Sequence, residues 1–174
     1  LVMAALAAKP YKLRGVALAP PDLPDAELAD MDRAGFTAVR FMQAKNPPIA
    51  FQEKLRKYPT GLAQFYEFAP RLKSLGWKAH LFVDCDILVE HAARIVATGV
   101  PVVIDHMGKF KVEQGVHHHD FQQLLAIIRN EGWWVKLSAL RNVRNSGYEP
   151  IRPFHDAMVE AASDRCLWGT DWPY

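Results

Sequence analysis

Cysteine is scarce here: Cys85 and Cys166 are the only two in 174 residues. Small secreted domains held together by disulfides carry more cysteines in shorter chains. Such a framework is therefore excluded, and both thiols are expected to be reduced and buried, in a cytoplasmic setting. No apolar run approaches the ~18 residues of a membrane-spanning helix, so no membrane partner is expected. An excess of one charge is also missing. Lys and Arg number 21 against 19 Asp and Glu, a net +2, too little to argue for nucleic acid or an anionic surface. None of the turns after the apolar runs reads GxGxxG or GxxxxGK, which lowers the case for a nucleotide-binding sheet. The opening "LVMAALAAKP" looks like the apolar part of a signal peptide, but no basic segment precedes it. It reads better as the last turns of a helix ended near Pro10, so the chain is expected to begin within a domain.

What is present is the composition of a folded domain: 50% hydrophobic, 23% charged and 11% aromatic. Apolar runs at 14–19, 36–42, 79–84, 100–105, 133–139 and 165–170 are rich in β-branched or aromatic residues and bounded by turn signals, as strands should be. Between them lie amphipathic stretches at 24–34, roughly 60–75, 86–98, 118–131 and 151–163. In "FQQLLAIIRN", Phe121, Leu124, Leu125 and Ile128 recur at helical spacing. Asp25, Asp86 and Asp120 read as helix caps. Six strand–helix alternations imply an α/β protein with a parallel sheet. With no linker or composition break, residues 1–174 are read as one domain. Alternation alone leaves a doubly wound sheet and a barrel both open.

Parallel strands covered on both faces should be nearly continuous apolar runs. Here polar residues interrupt them, mostly toward their C-terminal ends: Arg40, Asp84, His106, Lys136, Ser138 and Asp171. His80 and Lys136 lie mid-strand and read as satisfied interior groups, and Asp105 as a cap. "HHHD" at 117–120 resembles a metal cluster, but consecutive histidines point in different directions. His106 and Asp171 stand apart, because an imidazole and a carboxylate at the ends of two different strands suit acid–base work or metal binding.

Taken together, "VVIDHMG", "WWVKLSALR" and "RCLWGTDWPY" resemble the amidohydrolase superfamily. The resemblance extends over "ALAAKPYKLRGVALAPPDLPDAELADMDRAGFTAVRF" and is weakest at 43–62. It is nearest to the branch of 2-pyrone-4,6-dicarboxylate lactonase and related sugar and muconolactone hydrolases. It implies a TIM (β/α)8 barrel of which these runs are the third to eighth strands, making residues 1–174 a partial barrel domain. The family's HxH motif belongs to the first strand. Neither that strand nor the second is in this chain, and His117-x-His119 lies on the wrong element.

By the same resemblance, Asp171 is the general base on the attacking water. His106 polarises the scissile carbonyl or, with Asp171, ligates a divalent metal, Zn or Mn; the dicarboxylate lactonase branch implies none. Arg40, Lys109, Arg141 and Ser138 are the implied substrate-binding residues, with Lys109 standing where the family usually has arginine. Lysine offers a point charge in place of a two-pronged fork. The expected partner is a small molecule, an anionic or polyhydroxylated, sugar-derived lactone, and a homo-oligomer is left open. Two other readings compete: a metal-dependent decarboxylase on the same fold, and a non-catalytic barrel fragment.

Overall fold

A computed structural model describes residues 2–9, 12–43, 45, 60–138 and 147–171. Helix α1 (Val2–Ala8) precedes β1 (Gly15–Ala17), α2 (Asp25–Arg33), β2 (Phe36–Gln43), α3 (Leu62–Leu75) and β3 (Lys78–Val83). Then come α4 (Cys85–Ala97), β4 (Val102–Ile104), α5 (His119–Asn130), β5 (Trp134–Lys136), α6 (Arg152–Ala162) and β6 (Cys166–Leu167). The strands are ordered β1-β2-β3-β4-β5-β6, and their registered pairs are parallel. A doubly wound sheet reverses its order at a switch point. This order never reverses, which is the winding of a (β/α) barrel.

The contacts group into two compact units, residues 1–80 with 98–101 and residues 81–97 with 102–174. In the first, β1 pairs with β2 through Val16↔Ala38 and Ala17↔Val39, after a bulge at Gly15/Val16. A Cβ on Gly15 would come within 2.5 Å of the Phe36 ring, so only glycine fits that approach. Phe41 of β2 meets Phe65 and Phe68 of α3 edge-on, at 5.3 and 6.2 Å between centroids. Gln43 accepts the Leu62 amide at 2.9 Å and so ties the end of β2 to the start of α3. The Trp77 indole donates to Asp32 at 2.7 Å, giving a buried ring a partner for its one N–H. Helix α3 stops at Gly76, whose φ of 66° is the left-handed cap that glycine supplies.

The core of the second unit includes an aromatic trio. Phe110 stacks on Phe154 at 4.0 Å and 8°, and Phe121 meets both edge-on, at 5.1 and 4.8 Å. Phe121, Leu124, Leu125 and Ile128 of α5 are all buried, as their helical spacing requires. Val103 pairs with Trp134, Ile104 with Val135, and Val135 with Cys166. Cys85 and Cys166 are both free thiols.

Three expected caps are corrected. Asp25 is the first residue of α2, with Pro24 as its N-cap. Asp86 sits inside the first turn of α4, which begins at Cys85. His118, not Asp120, caps α5 by accepting the Asp120 amide. In each case the acidic residue lies in the first turn, where it complements the positive end of the helix dipole, and Asp86 Oδ1 also accepts the Ile87 amide at 3.0 Å. Asp105 is corrected too. It is fully buried and paired with Lys136 instead of capping a helix.

Candidate active site

The strands end earlier than the apolar runs suggest. β4 stops at Ile104 and β6 at Leu167, so His106 and Asp171 lie on the turns that follow. After β4 the chain makes a left-handed turn. His106, Met107, Gly108 and Lys109 have φ of 51°, 57°, 74° and 45°. Left-handed backbone costs an L-residue roughly 1–2 kcal/mol, and runs of it are rare. Packing maintains this one. Met107 is fully buried, and a Cβ on Gly108 would come within 2.7 Å of Leu124 Cδ2. Asp171 also has positive φ, 54°. Both candidate acid–base residues therefore sit on strained backbone, a pattern that clusters at functional sites.

Three side chains converge on this turn. Ser138 Oγ lies 2.9 Å from His106 Nδ1. His106 Nε2 lies 3.9 Å from Asp171 Oδ1, beyond direct hydrogen-bond range, so both polar atoms border the same small space. The Phe82 ring meets the imidazole edge-on at 5.2 Å and 87°. His106 and Ser138 are both buried, at 4% and 5% exposure.

Two ion pairs brace this arrangement. Asp105, adjacent to His106, is held by Lys136 at 2.8 Å. Lys109, at the end of the turn, is 2.8 Å from Asp84, and its ammonium lies 4.8 Å from the Phe82 centroid. Phe82 thus contacts both the Lys109 ammonium and the His106 imidazole. Neither this cluster nor the two ion pairs was foreseen from the sequence. The signals were there, in acidic residues ending β3 and β4, but the identity of their partners was not.

Arg40 lies on β2 in the first unit. Arg141 lies outside the described residues. His118 and His119 sit at the start of α5, and His119 is exposed. Among the described residues no three His, Cys, Asp or Glu side chains converge as metal ligands. His106 and Asp171 are one protein ligand short of the three typical of an open catalytic zinc site. The described residues do not by themselves fit a metal. No described helix is long and apolar enough to cross a membrane.

Comparison with known proteins agrees with this topology. The chain is 33% identical over 175 residues to a 2-pyrone-4,6-dicarboxylate hydrolase of Comamonas testosteroni, covering 94% of this chain and 54% of the relative. It is 31% identical over 156 residues to a 4-sulfomuconolactone hydrolase of Hydrogenophaga intermedia, covering 88% and 49%. It therefore spans about half the length of these relatives. A Pseudomonas putida structure assigned as a 2-pyrone-4,6-dicarboxylic acid hydrolase superposes with a TM-score of 0.78 at 27% identity, covering 99% of this chain and 62% of that one. An Agrobacterium tumefaciens structure at 21% identity gives 0.80 and supports the fold alone. The amidohydrolase family model matches residues 1–174, and the chain belongs to that family.

Proposed function

We propose that this chain carries part of the active site of a lactone hydrolase in which Asp171 is the general base and His106 polarises the carbonyl. The observation that carries the reading is the 3.9 Å approach of His106 Nε2 to Asp171 Oδ1, with both residues on left-handed backbone. The two relatives, both named as hydrolases and one for a lactone, agree with it.

In this mechanism a water held by Asp171 attacks the lactone carbonyl carbon. The carboxylate takes one water proton as the C–O bond forms. The His106 N–H donates to the carbonyl oxygen, where negative charge builds up, and so stabilises the tetrahedral intermediate. Collapse breaks the ring C–O bond, and Asp171 returns the proton to the departing oxygen. The product is the open-chain hydroxy acid. Lys109, its charge shared with Asp84, is the proposed contact for an anionic or polar substituent. This points to an anionic or sugar-derived lactone, with residues 1–174 acting within one barrel domain.

Asp171→Asn in the intact protein keeps the fold and removes the base. Loss of about 100-fold or more in kcat is expected, followed by base uptake in a pH-stat across a panel of carboxylated and sugar lactones. Circular dichroism checks folding. Near-wild-type turnover by a folded Asp171→Asn variant would sink the assignment.

A further inference from the structure

We propose that Ser138 is a positioning residue. It donates its hydroxyl to His106 Nδ1 and so holds the ring as the Nε2–H tautomer, with that N–H aimed at the gap before Asp171. The proposal deepens the lactone-hydrolase reading and rests on it for its kinetic consequence, but not for its structural one.

The argument begins with what a neutral imidazole can do. One ring nitrogen donates and the other accepts, and the partner of one decides the role of the other. A serine hydroxyl can either donate or accept, so the 2.9 Å contact with Nδ1 admits both tautomers when considered alone. Asp171 removes the ambiguity. Its carboxylate oxygen stands 3.9 Å from Nε2. A lone pair on Nε2 would face a negative oxygen, whereas an N–H there places its positive end toward it. In a site where His106 is 4% exposed, water does little to screen that preference. Nε2 therefore carries the hydrogen, Nδ1 must accept, and the buried Ser138 hydroxyl is placed to donate.

The surroundings keep this arrangement from reversing. A flip of the ring would turn carbon edges toward Ser138 and Asp171. Phe82, perpendicular to the imidazole at 5.2 Å, restricts that rotation. The left-handed turn from His106 to Lys109 fixes where the ring is attached.

The consequence is chemical. The Nε2–H tautomer is the one that can donate to a carbonyl oxygen. The opposite tautomer, with Nδ1–H donated to Ser138, presents an Nε2 lone pair, as a metal ligand must. Ser138 was expected from the sequence to touch substrate. Its burial and its contact with Nδ1 instead give it a role exercised through His106.

The test is a long-range proton–nitrogen spectrum of the intact protein labelled with 15N-histidine, with the His106 signals assigned by their loss in His106→Gln. The expected wild-type pattern is a protonated Nε2 and a hydrogen-bonded, unprotonated Nδ1. Ser138→Ala should move the His106 nitrogens away from that pattern. Ser138→Thr keeps the hydroxyl and should restore it. A wild-type ring protonated at Nδ1 overturns the proposal, and so does an unchanged His106 spectrum in a folded Ser138→Ala. In turnover, Ser138→Ala should lower kcat about tenfold, the worth of one lost hydrogen bond, while KM stays near its wild-type value. A raised KM with unchanged kcat would instead mean direct substrate contact and overturn the positioning role. The spectrum needs no substrate. If the lactone-hydrolase reading fails, turnover fails and the tautomer stands; if Ser138 does not position His106, the spectrum reports it whatever the reaction.

Discussion

Removing Lys136 tests how the base of the site is held. Asp105 is 0% exposed and the Lys136 side chain 23%, with 2.8 Å between Nζ and Oδ1. At an effective dielectric of 20, two unit charges this close attract by about 6 kcal/mol, much of which offsets the desolvation of a buried carboxylate. The net worth of such a pair is therefore small, but breaking it from one side is not. Lys136→Met keeps the length and apolar stem of the side chain and removes the charge. Asp105 then stays buried beside a thioether, at an expected cost of about 3–5 kcal/mol in unfolding free energy. Urea unfolding of the intact protein measures this. The double variant Asp105→Asn/Lys136→Met should recover about 2 kcal/mol or more relative to the sum of the singles, because removing both charges leaves nothing stranded. A single-variant cost below about 1 kcal/mol, or strictly additive singles, would refute the reasoning.

Gly108→Ala should both strain and displace the turn. Its φ is 74° and the new Cβ would lie 2.7 Å from Leu124 Cδ2, so a loss of about 2–4 kcal/mol in the same unfolding assay is expected; a neutral result would mean the turn is not locked by packing. Cys85 should resist alkylation, because burial first, then Asp120, Asp86 and Asp84, push its thiol up to about 12. Iodoacetamide at pH 8 followed by peptide mass spectrometry should leave Cys85 unmodified in the native protein and modified in urea; equal labelling in both would contradict its burial. The same shift sets a pH dependence. Below pH 9 the thiol is protonated folded and unfolded alike, while between pH 9 and about 12 only the unfolded form ionises. The stability held below pH 9 should therefore be lost as pH rises through that window, and Cys85→Ala should flatten the decline.

The local layer was legible because its signals are local. Apolar runs and helical spacing placed all six strands and the helices between them, since burial imposes a period on the residues that face the core. His106 and Asp171 stood out for the same reason: a polar residue at the end of an apolar run needs an explanation. The caps misread at Asp25, Asp86 and Asp120 turn on one or two residues of backbone geometry, which composition does not resolve.

The sequence by itself determined that this is an α/β chain of parallel strands, with an imidazole and a carboxylate just beyond two strand ends. It also carried the family resemblance in "VVIDHMG", "WWVKLSALR" and "RCLWGTDWPY". Tertiary structure decided what those groups touch. Ser138 reaches His106 across 32 residues of sequence, and Lys109 reaches Asp84 across 25, distances over which no pattern in the chain specifies a partner. Only the folded packing could impose the whole left-handed turn at 106–109, because nothing in Met107 or Lys109 favours that backbone. It holds there because Met107 fills the core and Gly108 lies against Leu124, so that contacts made far along the chain outweigh the local preference.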